Sequence, residues 1–160
     1  MGGSGAGVIF GVTGGVAEAV IRECAKDKTN AYVKEMRDVG VRGKESMKEA
    51  VINVDGRDIH IAVVHGLKAA EDLIQKMERG EAYYDIVEVM ACPEGCIGGA
   101  GQPFALNPRR DKRAKALYRT DNDMSMKFSS KHPETIYAFD EIVKGRNHEM
   151  LHVHYNKNEK

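Results

Sequence analysis

DIVEVMACPEGCIGGAGQP, residues 85–103, decides the reading of this chain. Its first part, DIVEVMA at 85–91, is a short, nearly apolar run of one strand's length, and such runs belong to strands covered on both faces of a parallel or mixed sheet. Where it ends come Cys92 and Cys96, among Gly95, Gly98, Gly99 and Gly101. With Cys92 as a helix cap and Pro93 at the first helical position, both sulfurs share one face, one turn apart. Free amide donors and the positive end of a helix dipole favour thiolate over thiol, and thiolate is the form that binds metal. The glycines leave room for backbone amides to approach inorganic sulfide. Two soft thiolates suit iron–sulfur clusters, copper(I) or zinc, and a closed four-coordinate site needs more ligands than this segment holds. The same spacing also fits inert thiols, or a local disulfide, in an ordinary strand-to-helix loop.

Working outward, the run at 85–91 is preceded by LKAAEDLIQKMERG, a helix with Leu67, Ala70, Leu73, Ile74 and Met77 on one face and Gly80 as its cap. Before it, EAVINV at 49–54 and DIHIAVV at 58–64 flank Asp55-Gly56, a strong hairpin signal. Nearer the start, VIF at 8–10 reads as strand or turn, followed by a glycine loop and a helix whose apolar positions are Val16, Ala19, Val20 and Cys24. Downstream, RRDKRAKALYRTD at 109–121 and PETIYAFDEIVKG at 133–145 read as helices, the second with Pro133 in its first turn. Strands alternating with helices predict an α/β fold: a mixed, mostly parallel small sheet flanked by helices, in a single domain spanning 1–160. Residues 1–4 have the look of a start or fusion scar.

Composition narrows the function classes. Basic and acidic residues balance at 24 each, so no global positive field exists to hold a nucleic-acid backbone. No run of apolar residues is long enough for a membrane span, and the three cysteines are too few for a disulfide framework. A cytoplasmic, reducing setting is expected. Cys24 reads as a buried small hydrophobe. His148, His152 and His154 could bind a metal, with two of them on one strand face, although packing and hydrogen bonding is the commoner use. The basic run from Arg109 to Arg119 reads as a solvated face or as a surface for an acidic protein.

Residues 88–103, EVMACPEGCIGGAGQP, resemble the third signature of the iron-only (FeFe) hydrogenases, E-x-M-x-C-x-x-G-C-x-x-G-G-G-Q-P. The matching positions are Glu88, Met90, Cys92, Gly95, Cys96, Gly99, Gly101, Gln102 and Pro103; Ala100 stands where the family has its middle glycine. SGAGVIFGVTGGVAEAV at 4–20 is similar to the family's cavity-lining segment, and Arg42-Gly43, AVVHGL at 62–67 and HEMLHVHY at 148–155 extend the likeness over nearly the whole chain. The resemblance implies one lobe, the C-terminal half, of a two-lobed catalytic domain that interconverts protons and hydrogen. It implies that Cys92 ligates a four-iron four-sulfur cubane and that Cys96, the catalytic cysteine of this half, bridges it to a two-iron subsite. Met90 would pack on that subsite, with Phe10, Gly11, Thr13, Gly14, Gly15 and Val16 as cavity wall and Gly99, Gly101, Gln102 and Pro103 shaping the loop. The family's other signatures, T-S-C-C-P and M-P-C-x-x-K-x-x-E, do not occur in the chain. The implied partners are therefore the N-terminal half of the domain and a ferredoxin-type electron carrier, and exposed apolar surface would favour self-association. The other implied reading is a hydrogenase-like protein of iron–sulfur protein assembly with no enzymatic role.

Overall fold

The computed structural model describes residues 3–25, 41–43, 45–104 and 107–153. At its centre is the predicted hairpin. Asp55 (φ 52°) and Gly56 (φ 86°) both adopt the left-handed conformation of a two-residue turn. Asn53 locks the turn, accepting from the Gly56 amide at 3.0 Å and donating to Asp58 at 2.7 Å. Strands β1 (Met47–Val54) and β2 (Arg57–His65) pair antiparallel, with Met47 opposite Val64 and Val54 opposite Arg57. Strand β3 (Ile86–Met90) lies parallel to β2, Ile61 facing Ile86 and His65 facing Met90. The expected α/β architecture thus holds as a three-stranded mixed sheet in the order β1-β2-β3, one junction of each kind.

The first helices described are α1 (Gly5–Ile9) and α2 (Gly15–Cys24); α3 (Leu67–Glu78) makes the crossover between β2 and β3. Alternation along β2 serves both sheet faces. Ile61 and Val63 join Ile52, Val54 and Val41 under Ala17, Ile21 and Ala25, while Ala62 and Val64 pack beneath Ala70 and Leu73 of α3. Of the face expected for α3, Ala70 and Leu73 are buried, whereas Leu67 and Ile74 are exposed. Gly80, at φ 71°, ends that helix as expected and donates to the Met77 carbonyl at 3.0 Å. The expectation that 85–91 is covered on both faces is corrected: Val87 and Val89 are 37% and 51% exposed, and only Glu88 is buried. The cause is position, since α3 covers β2 and leaves the edge strand bare on that side.

Residues 8–10 are not a strand. Ser4 caps α1, its Oγ accepting from the Gly7 amide at 3.1 Å, and the chain turns only after Ile9. Tertiary hydrogen bonds favour this helix, because the Gly5 and Ala6 amides donate to the carbonyls of Met126 and Lys127 at 2.7 and 3.1 Å, while Ser4 and Ser129 hydroxyls meet at 2.6 Å.

The buried face of α2 is only partly the expected one: Ala19 is buried and Val16 half-buried. Val20 is 40% exposed and Cys24 is exposed, so the reading of Cys24 as core is corrected. In their place Glu18 and Arg22 are fully buried. Arg22 donates to both oxygens of Asp121 at 2.9 and 2.8 Å and pairs with Glu18; Arg42 donates to the two oxygens of Glu18 at 2.7 and 2.8 Å and lies 3.9 Å from the centre of the Tyr118 ring. Burial opposes the charge on Arg22, but its bond to Asp121 and the nearby carboxylates outweigh that, holding its pKa above the ordinary guanidinium value. Burial likewise pushes the Tyr118 hydroxyl up to about 12, with Arg42 opposing the rise. Helical periodicity could not reveal this face, because the charges that neutralise it arrive from distant segments.

Helix α4 (Asn107–Asp123) carries Asp121, and α5 (Pro133–Tyr137) begins with Pro133 as expected before continuing as a π-helical turn over Ala138–Val143. Lys144 (φ 48°) and Gly145 (φ 78°) end it. His148 lies in α6 (Asn147–Leu151), stacked edge-on with His152 at 4.5 Å between ring centres; His152 follows that helix in extended backbone, and His154, expected to share its strand face, is outside the described residues. Both described histidines are exposed, which corrects the packing role assigned to them. Among the described residues no helix is long and apolar enough to cross a membrane. Removing one partner of a buried ionic cluster strands the others, so Asp121→Ala should cost about 3–5 kcal/mol in urea unfolding, against about 0.5 kcal/mol or less for Lys115→Ala on the exposed side of α4.

Candidate metal centre

Two loops build the site, one leading into α2 and the other leaving β3. Gly11 and Thr13 supply the first contacts: the Ile97 amide donates to the Gly11 carbonyl at 3.1 Å, and the Thr13 amide to the Glu94 carbonyl at 3.3 Å. The Thr13 hydroxyl points at Met90 Sδ, 3.8 Å away. Deeper in, the Glu88 carboxylate accepts from the amides of Gly14 and Ala17 at 2.6 and 2.7 Å. These groups fix where the cysteine segment lies.

That segment does not begin an α-helix at Cys92. The Gly95 amide donates to the Cys92 carbonyl at 3.0 Å in a tight turn, and a single 3-10 turn follows over Cys96–Gly98. Glu94 (φ 63°) and Gly95 (φ 87°) are left-handed in succession, which interrupts a right-handed helix, and the groups a helix would bond internally are committed to Gly11 and Thr13. The helix-dipole argument for the thiolates therefore lapses. What remains is the turn: a β-carbon on Gly99 would stand 3.2 Å from Cys92 Sγ and 3.5 Å from the Cys96 carbonyl oxygen, so Gly99 leaves room beside the Cys92 sulfur and the Cys96 main chain. Cys92 is half-buried and Cys96 exposed, and both are free thiols, which removes the local disulfide.

Gly95 is the tightest of the loop glycines. A β-carbon there would meet Met90 Sδ at 2.8 Å, the Thr13 amide nitrogen at 2.9 Å and the Gly11 carbonyl at 3.0 Å. The expected wall residues divide. Gly11, Thr13 and Met90 reach the cysteine segment, while Gly14 and Gly15 are pressed against Val41 and Ile9; Val16 is half-buried and Phe10 is 45% exposed in the turn after α1. Gly101, Gln102 and Pro103 are exposed on the far side of the loop. Ala100 is exposed and does not take a positive φ, so its methyl group costs the loop nothing.

Three contributions escaped the sequence reading. Arg113 donates to the carbonyls of Ile97 and Pro103, each at 2.7 Å, and Arg110 approaches Glu94 at 3.7 Å, so α4 grips the cysteine loop from outside. Between them lies a cavity of about 270 Å3 lined by Gly98, Gly99, Gln102, Pro103, Phe104 and the two arginines. The third is the role of Glu88, which the sequence shows as the first position of the signature match and as a lone charge inside an apolar strand. Gly101 combines a φ of 88° with open space, so Gly101→Ala should cost only the left-handed penalty of about 1–2 kcal/mol, whereas Gly95→Ala should cost distinctly more, as read by urea unfolding.

Residues 1–100 match the family described as iron only hydrogenase large subunit, C-terminal domain. The chain is 37% identical over 163 residues to the NADP-reducing hydrogenase subunit HndD of Solidesulfovibrio fructosivorans, covering 98% of the chain and 28% of that protein. It is also 37% identical over 93 residues to cytosolic iron-sulfur assembly component 3 of Bos taurus, covering 58% of the chain and 19% of the relative. A solved structure of a variant of the FeFe-hydrogenase HydA1 from Chlamydomonas reinhardtii superposes with a TM-score of 0.67 at 32% identity, over 91% of this chain and 45% of that one. The chain thus spans less than a third of these curated relatives and under half of the solved chain. Matched in sequence over its first 100 residues and in fold over nine-tenths of its length, the chain belongs to the iron-only hydrogenase large-subunit family, in its C-terminal domain.

Proposed function

We propose that this chain is the cluster-binding lobe of an iron-only hydrogenase that reduces protons to hydrogen reversibly, with Cys92 and Cys96 as its two ligands to the metal site. The observation that carries the reading is the Cys92–Cys96 turn itself, pinned to the loop before α2 by the bonds of the Ile97 amide to Gly11 and of the Thr13 amide to Glu94. The donor set fits half of an iron–sulfur site: two soft thiolates, glycines that leave space before them, and among the described residues no cluster of three or more further ligand side chains. When bound, a cubane joined to a two-iron subsite would supply the electron storage and hydrogen chemistry. The chain's own residues do the rest. Cys92 and Cys96 would hold the metal assembly, Cys96 as the catalytic cysteine of this half; Met90 and Thr13 would pack beside it. Gly11 would line the apolar side, with Phe10, Gly14, Gly15 and Val16 shaping the loop behind it, and Gly99, Gly101, Gln102 and Pro103 would shape the outer loop.

The remaining ligands belong to the N-terminal half of the domain, with electrons arriving from a ferredoxin-type carrier. A second reading, a role in iron–sulfur protein assembly without hydrogen chemistry, is favoured by the likeness to the assembly component over 93 residues. Co-expression with an N-terminal half bearing the two missing signatures, followed by anaerobic maturation, separates the two. The hydrogenase reading expects hydrogen evolution that falls to background in Cys96→Ser; activity indifferent to that change, or no activity with a fully loaded cluster, would refute it. Because two thiolates cannot saturate a cubane, the chain purified alone should hold substoichiometric iron after anaerobic reconstitution, measured by iron and sulfide analysis together with charge-transfer absorption.

A further inference from the structure

A carboxylate that caps a helix usually comes from the residues just before it, and then it stabilises that helix alone. The cap on α2 comes from elsewhere. Glu88 reaches the Gly14 and Ala17 amides across 74 and 71 residues of sequence, and it is only 7% exposed. A bond made over that distance couples the position of α2 to the position of β3. Glu88 and Met90 are alternate residues of β3, a period that sends their side chains to one side. Glu88 grips residues 14–17 and Met90 meets Thr13; the strand ends at Met90, two residues before Cys92. Past Cys92 the chain returns to the same loop, through Glu94 and Ile97 to Thr13 and Gly11. The cysteine turn is therefore held at both ends by one loop, and Glu88 holds that loop to the strand from which the turn departs.

We propose that Glu88 is the positioning residue of the two-cysteine turn, keeping Cys92 and Cys96 within reach of a common metal by locking the α2 entry loop to β3. This rests on reading the two cysteines as paired ligands. Without the carboxylate the Gly14 and Ala17 amides lose their acceptor, the 11–17 loop separates from β3, and the turn that carries both cysteines loses its frame.

Cadmium(II) alone serves as the probe on the full chain, because its sulfur charge-transfer band in the near ultraviolet counts the thiolates it binds. The expected result is a band that is lost or halved in Cys92→Ser and in Cys96→Ser. Glu88→Ala should weaken cadmium affinity at least about 10-fold, the scale found when groups that orient metal ligands are removed. Glu88→Gln keeps one acceptor oxygen and should lose less, about threefold, and amide exchange at Gly14 and Ala17 should quicken in both variants. Leu73→Ala, in the core on the other side of the sheet, controls for stability and should leave the affinity unchanged at temperatures where it is folded. Should Glu88→Ala fail to fold, the Gln variant carries the measurement. A band that needs both thiols but keeps wild-type affinity in the Glu88 variants overturns the positioning role and leaves the paired-ligand reading intact. A loss matched by Leu73→Ala overturns it likewise, and a wild-type band indifferent to both cysteines overturns the paired-ligand reading and the proposal with it.

Discussion

Two stretches of bare backbone, residues 11–15 and 92–99, must pass almost in contact, and the molecule is arranged to let them. At Gly95 a single added carbon would strike a sulfur, an amide nitrogen and a carbonyl at once, all within 3.0 Å. Such closeness allows main-chain groups of one loop to serve as partners for the other, so the turn carrying the cysteines needs no helix of its own. Successive left-handed residues at Glu94 and Gly95 are the local cost, of order 1–2 kcal/mol for the non-glycine residue. The surrounding contacts over-determine the turn and hold it in that conformation.

Around this seam the protein uses charge where small domains more often use hydrocarbon. Glu18, Arg22 and Asp121 have no exposed side-chain surface, and Arg42 closes the cluster at one-fifth exposure. Replacing such a cluster with apolar residues of like volume is often neutral for stability. Its value here is geometric: planar guanidinium groups accept carboxylates in few orientations, which fixes the rotation of α2 about its axis and sets it against α4. Because α4 also reaches the cysteine loop through Arg110 and Arg113, one rigid frame supports both sides of the seam.

What could be read beforehand followed from local rules. Alternation and Asp55-Gly56 located the hairpin, and Gly80 and Pro133 placed helix ends. Where reading went astray, long-range partners had overridden local preference. Val8, Ile9 and Phe10 favour strand, yet α1 forms because Ser4, Gly5 and Ala6 are bound by residues 126–129. Cys24 follows an apolar spacing, yet α2 turns its charged side inward because Asp121 and Arg42 neutralise it. Pro93 after Cys92 has the form of a helix start, but Gly11 and Thr13 capture the groups that helix would need.

The strap across α1 also bears on how the chain is made. Ser4 meets Ser129 across a sequence separation of 125, and the backbone bonds of Gly5 and Ala6 span nearly as far. During synthesis the β1-β2 hairpin and α3 can assemble from neighbours already present, while residues 4–6 wait for partners that emerge roughly a hundred residues later, at about 5–20 residues per second. Loop-closure entropy must be met before those contacts return anything, so the glycine loop that follows α1 is among the last parts to settle. The loop that anchors the cysteine turn is thereby set only after residues 126–129 are in place.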